Sequence, residues 1–244
     1  QAYIIGVQAN IWGEYIQTPE YFEYMAFPRL LAMSEVQWTQ PEHKDFESFA
    51  RRLDKEFERL DYCGVNACRN FYEVNQAGAW NKSQQTYEVT LNTFCPDADI
   101  YYAVNDSTVN TSSSLYETPI PLDEDATIYS AVYRSGKPLG KVTRKSFAVN
   151  KATGCDYTCN PEAGWEHLNK GFGLTDGRRG YARDMRRWIS FYQDTVQIVV
   201  ELKKPQKVKE VAFSSLWRPV NEIWPARAMG VSVSMDGQTF IPVG

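Results

Sequence analysis

The chain opens on a run, Tyr3 to Glu14, that starts apolar and ends in a polar turn carrying Trp12 and Glu14. The first half is apolar on both faces, which predicts a strand buried in a parallel sheet. Strand side chains alternate, so this reading puts Trp12 and Glu14 on one side of the strand's C-terminal end. Thr18, Pro19 and Glu20 then supply an N-cap followed by proline at the first helical position. Residues 18–38 read as a helix or two short ones, because Pro28 cannot sit in an unbroken helix interior. Strand, polar turn and helix make half of a β/α unit. Leu30, Leu31, Ser34 and Val36-Gln37-Trp38 mark a helix face for packing on the strands of such a unit. A stronger helix is predicted over 41–62, opened by Pro41 and Glu42. Phe46, Phe49, Leu53, Phe57 and Leu60 recur there at three- and four-residue steps, with Arg51, Lys55 and Glu58 off the stripe. Gly64 is the expected stop.

From Tyr72 the hydrophobic period changes to two. Residues 87–91, 100–104, 127–133 and 142–149 read as short strands, separated by turn clusters at 95–97, 105–107 and 135–138. Short strands at regular spacing with such turns predict an all-β sandwich over residues 73–150. From about Lys151 a third region begins. It shows a loop at 171–177, a strand at 196–202, a turn at 203–205, a strand at 208–213, and a hairpin over 231–240 turning at Asp236-Gly237.

The composition is that of ordinary globular material: 244 residues, 43% hydrophobic and 23% charged, a length for one to three domains. Net charge is −4, and the one basic cluster (Arg178, Arg179, Arg183, Arg186, Arg187) is interrupted by Asp176 and Asp184. Nucleic acid is therefore not an expected partner, and no apolar run reaches membrane-spanning length. The start at Gln1, on the edge of a strand, reads as a cut from something longer. Cys63, Cys68, Cys95, Cys155 and Cys159 are an odd number for a disulfide framework, and only His43 and His167 accompany them. Their spacings do not fit the common zinc sites. Buried free thiols and a local disulfide in either close pair, 63/68 or 155/159, both remain open. Asn81, Asn105 and Asn110 match the glycosylation acceptor pattern, which is frequent by chance.

Trp12 and Glu14 carry readable chemistry. A tryptophan face covers the C–H surface of a sugar ring and excludes water. An ionised carboxylate only accepts hydrogen bonds, and two neighbouring sugar hydroxyls can supply both donors. The same pair also describes a buried aromatic beside a solvated or helix-capping carboxylate. The wider segment shifts the balance toward the first. Trp12-x-Glu14, Glu23-Tyr24-Met25, Pro28-Arg29, Ala32 and Glu35-Val36-x-Trp38 resemble the end of the catalytic barrel of glycoside hydrolase family 20, the β-N-acetylhexosaminidases and chitobiases. Gly13 stands where Ser or Thr is more usual, at the position pointing away. The resemblance implies that Trp12 helps wall the pocket for the terminal sugar and that Glu14 bonds hydroxyls away from the acetamido group. It implies substrate-assisted retaining catalysis, in which the acetamido oxygen attacks the anomeric carbon, an Asp orients that group and the adjacent Glu is the general acid. Asp123-Glu124 is the one Asp-Glu dipeptide here, and its surroundings read as a turn entering a strand. No catalytic residue is expected in this chain, and by itself it is expected to be inactive.

The strands of 73–150 resemble the immunoglobulin-like module that follows the barrel in many family 20 enzymes. Pro96 to Tyr102, Ser114-x-Tyr116 and the 128–149 stretch carry that likeness. Tyr101, Tyr102, Tyr129 and Tyr133 could form a glycan platform there or pack as core. Residues 151–244 resemble a discoidin-like (coagulation-factor C-type) jelly roll, truncated at Gly244. The matches are Leu174-x-Asp176-Gly177, Trp188, Glu201-Leu202 with Lys204-Pro205, and Ser232-x-Ser234-x-Asp236-Gly237. That likeness makes Trp188, Trp217 and Trp224 candidate sugar platforms and Asp176 a candidate ligand of a structural calcium; no other cofactor is expected. The expected fold is thus multidomain: a terminal β/α piece of a TIM barrel with its helices (1–72), an immunoglobulin-like sandwich (73–150) and a partial jelly roll (151–244). Expected partners are N-acetylhexosamine glycans or chito-oligosaccharides, in a bacterial periplasm or at the cell surface. The competing readings are a non-catalytic carbohydrate-binding or spacer module and a structural β-sandwich array.

Overall fold

The computed structural model describes residues 6–164, 173–178, 180, 182, 188–193 and 195–243. Residues 3–5 of the expected first strand, His167, part of the 171–177 loop and Arg179, Arg183, Asp184, Arg186 and Arg187 of the basic cluster lie outside these. The chain forms two compact units. One takes the chain up to Gln76 with Leu91–Thr118 and Thr127–Lys145; the other takes Ala77–Thr90, Pro119–Ala126 and the chain from Ser146.

The helices follow from local chemistry. Helix α1 (Pro19–Ala26) starts where the Thr18 hydroxyl accepts from the Tyr21 amide at 3.2 Å. It stops because Phe27, ahead of Pro28, is held extended. Helix α2 (Arg29–Trp38) resumes after the proline, so the segment is two helices. Helix α3 (Phe46–Tyr62) begins later than Pro41 suggests. Pro41–His43 form a separate 3-10 turn, and the Asp45 carboxylate caps α3 by accepting from the Glu47 amide at 2.9 Å. A side-chain acceptor meets an orphan N–H, which proline at 41 cannot do. Gly64, at φ +70°, ends the helix as expected. Leu53, Phe57 and Ala67 form a buried cluster against Phe27, Leu31, Phe49, Leu60, Phe71 and Tyr72. Burying one Leu or Phe side chain is worth roughly 1.5–3 kcal/mol. Val36 and Trp38, expected to pack on strands, stand exposed.

The expected first strand is corrected. Residues 6–12 carry no ladder, and Gly13–Tyr15 form a 3-10 turn. A strand exists by pairing, and among the described residues none pairs with this run.

Strands β1 (Asn75–Asn81), β2 (Thr86–Asn92) and β5 (Ile120–Leu122) make one sheet, in the order β1-β2-β5. A second sheet runs β4-β3-β6-β7, from β3 (Asp99–Val104), β4 (Ser114–Leu115), β6 (Ala126–Arg134) and β7 (Lys137–Pro138), with β8 (Thr143–Phe147) also pairing β6. The β3–β6 ladder is antiparallel and runs from Asp99↔Tyr133 to Val104↔Ile128. This is the strand content of an all-β sandwich module. On β6, Ile128, Ser130 and Val132 are fully buried on one face. On the other, Ala131 and Tyr133 pack under Val109 with Tyr101 and Tyr129, and the Tyr133 hydroxyl donates to the Val109 carbonyl at 3.0 Å. Of the four tyrosines, Tyr101, Tyr129 and Tyr133 therefore join a core cluster.

In the last region, β9 (Asp156–Asn160) pairs antiparallel with β10 (Gln197–Glu201), at the position expected for a strand over 196–202. Residues 208–213 form no strand; Val208, Val211 and Phe213 are exposed and lack a ladder partner among the described residues. The expected 231–240 hairpin is looser than a two-residue turn. Strand β11 (Ser232–Val233) pairs with β12 (Ile241–Pro242), so Asp236 and Gly237 sit within a seven-residue connection. The Asp236 carboxylate sets that loop by accepting from the Gln238 and Thr239 amides at 2.9 and 2.8 Å, which hold it well below the usual carboxylate range.

Candidate functional site

Trp12 has extended backbone (φ −84°, ψ 126°) and precedes the 3-10 turn closed by the Ile16 amide on the Gly13 carbonyl at 3.1 Å. Strand alternation ends at Trp12, so it does not fix the side on which Glu14 lies. The 3-10 turn begins at Gly13, so Trp12 leads into it from extended backbone while Tyr15 closes it. Both stand out to solvent, Trp12 at 73% and Tyr15 at 85% exposure. Glu14 is exposed between them. Sequence reasoning missed Tyr15, an exposed aromatic at the end of the same turn. Beside the turn lies an open concavity of about 460 Å3, lined by Ile11, Ile16, Pro19 and Phe22 with Gln17 and Thr18. Gly13 also lines it, whereas Trp12 and Glu14 do not. The arrangement presents aromatic faces and a carboxylate acceptor on one short turn, tied to a capped helix. These are the elements that grip a sugar ring.

Asp123 and Glu124 are exposed in the bend between β5 and β6. That is the turn the sequence suggested.

The three tryptophans of the last region differ. Trp188 is half-buried, and a Cβ at Gly180 would fall 2.4 Å from its ring, so it lies flat on backbone as a packing anchor. Trp217 and Trp224 are each 69% exposed. Between them Arg218 and Ile223 exchange both backbone hydrogen bonds, at 3.0 and 3.2 Å, across a turn with Pro219–Asn221 in 3-10 form and Glu222 in the left-handed region. Trp217 and Trp224 are the next opposed positions outward from that bridge, where antiparallel backbones bring side chains closest.

Asp176 closes its own loop. One carboxylate oxygen accepts from the Gly173 amide at 3.0 Å and the other from the Arg178 amide at 2.9 Å. Gly177, at φ +73°, lies under the Tyr87 ring, whose hydroxyl donates to the Gly177 carbonyl at 3.3 Å. Among the described residues no three His, Cys, Asp or Glu side chains gather to hold a metal. A hard cation takes six to eight oxygens. Asp176, with both oxygens occupied by N–H donors, lends the calcium expectation no support. All five cysteines are free thiols.

Comparison with known proteins places two segments of this chain. Residues 1–41 match the glycosyl hydrolase family 20 catalytic domain, and residues 75–144 match the chitobiase/beta-hexosaminidase C-terminal domain. Over 64 residues the chain is 52% identical to a beta-hexosaminidase of Porphyromonas gingivalis, a stretch covering 26% of this chain and 8% of that protein. Over 50 residues it is 38% identical to a beta-N-acetylhexosaminidase of Cellulomonas fimi, covering 20% of this chain and 10% of that protein. The matched stretch thus spans about a tenth or less of either relative. The Trp12–Glu14 turn lies inside the catalytic-domain match, and most of the β1–β8 sheets lie inside the second.

Proposed function

We propose that this chain is the C-terminal part of a β-N-acetylhexosaminidase that releases terminal N-acetylhexosamine from glycans by substrate-assisted retaining catalysis. The observation that carries the reading is the order of two matches on one chain, catalytic-domain end first and hexosaminidase C-terminal domain second. In this reading Trp12 packs on the terminal sugar and Glu14 accepts from its hydroxyls, while the Asp-Glu pair of the mechanism lies outside this chain. Residues 1–72 close the catalytic barrel, 73–150 form the immunoglobulin-like module, and 151–244 belong to a discoidin-like domain. The setting is a bacterial periplasm or cell surface. The test is release of nitrophenol from 4-nitrophenyl N-acetyl-β-glucosaminide by the longer protein and by the 244-residue chain. Turnover is expected from the first and none from the second; an inactive longer protein overturns the proposal.

A second reading, a carbohydrate-binding module, is favoured by the opposed exposed pair Trp217 and Trp224. Here the pair is one platform for a chito-oligosaccharide and Trp188 only an anchor. Calorimetric binding of chitotetraose, lost in both Trp217→Ala and Trp224→Ala, supports it; no binding by the 244-residue chain removes it.

A further inference from the structure

Arg134, the last residue of β6, directs its guanidinium onto α3. Nη1 donates to Asp54 Oδ2 at 2.6 Å, while Nη2 donates to the Pro96 carbonyl at 3.1 Å and contacts Cys95 Sγ at 2.9 Å. The Tyr72 hydroxyl donates to the other Asp54 oxygen at 2.6 Å. The pair is mostly shielded, with Arg134 and Asp54 side chains 28% and 31% exposed. Further back along α3, Arg51 forks onto Asp97, with Nε to Oδ2 at 2.8 Å and Nη2 to Oδ1 at 3.3 Å. At the helix start, Phe46 meets Phe94 edge-on at 6.1 Å. The loop between β2 and β3 therefore follows α3 from Phe46 to Asp54, and Arg134 locks its far end. The neighbouring apolar stripe of α3, Leu53 and Phe57, forms with Ala67 the buried cluster on which Phe27 and Leu31, from the segment that carries α1 and α2, pack.

We propose that the β3–β6 sheet is a rigid brace for α3, with Arg134 as its positioning residue, and that the brace holds α1 and α2 behind the Trp12–Glu14 turn; its last link rests on the hexosaminidase reading. A tethered spacer needs no such contacts, since flexible linkers join domains that share few. Arginine suits the position because its planar fork reaches a carboxylate, a carbonyl and a sulfur at once, which a lysine ammonium cannot do. Removing one partner of a shielded pair strands the other charge. Burial pushes the Cys95 thiol up, so the guanidinium meets a neutral sulfur and its charge goes to Asp54.

The brace is tested on the 244-residue chain by heating it while following helix signal at 222 nm and tyrosine signal in the near ultraviolet. The two are expected to be lost together. Arg134→Met is expected to bring the helix transition down by about 5 °C or more, ahead of the tyrosine signal. Arg134→Lys, which keeps the Asp54 pairing, should shift it by an intermediate amount, and serves if the methionine variant does not fold. Separate transitions in the parent chain, or a methionine variant that melts as the parent does, overturn the brace. Positioning is tested in the longer protein with 4-nitrophenyl N-acetyl-β-glucosaminide. Arg134→Met should raise KM several-fold, leave the pH profile in place, and be partly rescued by Arg134→Lys. An active longer protein whose KM ignores Arg134 overturns the positioning role. An inactive longer protein overturns the hexosaminidase reading and leaves the brace to the melting experiment.

Discussion

Glu14→Gln should give opposite results in two assays. In the 244-residue chain Glu14 is exposed in a three-residue turn. Surface substitutions away from special features change stability by about 0.5 kcal/mol or less, so the melting temperature should stay within about 2 °C of the parent. Under the proposed function the same carboxylate accepts from sugar hydroxyls in the longer protein. A hydrogen bond to a charged group is worth about 1.5–3 kcal/mol, which converts to roughly a 10- to 150-fold loss in kcat/KM. Glutamine keeps the size but turns one acceptor oxygen into an NH2 donor, so the loss reports the charge and one acceptor together. The acid limb of the pH–rate profile should not move, because the proposal assigns proton donation to a residue other than Glu14. The assay pairs a thermal melt of the 244-residue chain with initial rates on 4-nitrophenyl N-acetyl-β-glucosaminide across pH 4–8. Full kcat/KM in a folded variant would show that Glu14 is a solvated carboxylate, and the assignment of the site would fail.

Three other outcomes are expected. Gly154→Ala should lower stability by about 2–4 kcal/mol in a denaturant melt, because φ is +72° and the new Cβ would fall 2.1 Å from the Trp80 ring, which Lys203 covers from 4.3 Å. Among the thiols, exposed Cys63 should react with Ellman's reagent at once, whereas buried Cys68, Cys95 and Cys155 should wait for unfolding, a slow phase that vanishes in denaturant. Hydrogen bonds from Arg52 hold the Glu35 carboxyl below its ordinary value, so this pair's stabilisation is complete above about pH 4.5 and is lost as pH falls through the lowered value; the melting-temperature gap between parent and Glu35→Gln should be flat from pH 5 to 7 and close below pH 4.

What could be read from the sequence was what neighbours along the chain decide. The stripe from Phe46 to Leu60 made α3, Pro28 divided the first helical segment, and Gly64 ended the second. The alternation at 87–91, 100–104 and 127–133 marked β2, β3 and β6. Strand β1 escaped notice because its inward positions are Gln76 and Gly78, not apolar residues. The Nε2 of buried Gln76 donates to the Ser130 hydroxyl at 2.8 Å, and the Gly78 gap is filled by Tyr87 and Phe147. Neither compensation can be inferred from a periodicity. The 208–213 run shows the converse, since β propensity without a ladder partner does not make a strand. At the candidate site the residue types Trp12 and Glu14 were legible, but their relation was not. Whether a strand continues or tightens into a 3-10 turn depends on which backbone groups find partners, and that decides where Glu14 lies relative to Trp12. The Arg134–Asp54 pair joins residues 80 apart, and the opposition of Trp217 and Trp224 hangs on one bridged turn. Hydrogen bonds and ion pairs act over a few ångströms of space rather than along the chain, so only the tertiary structure could select these partners.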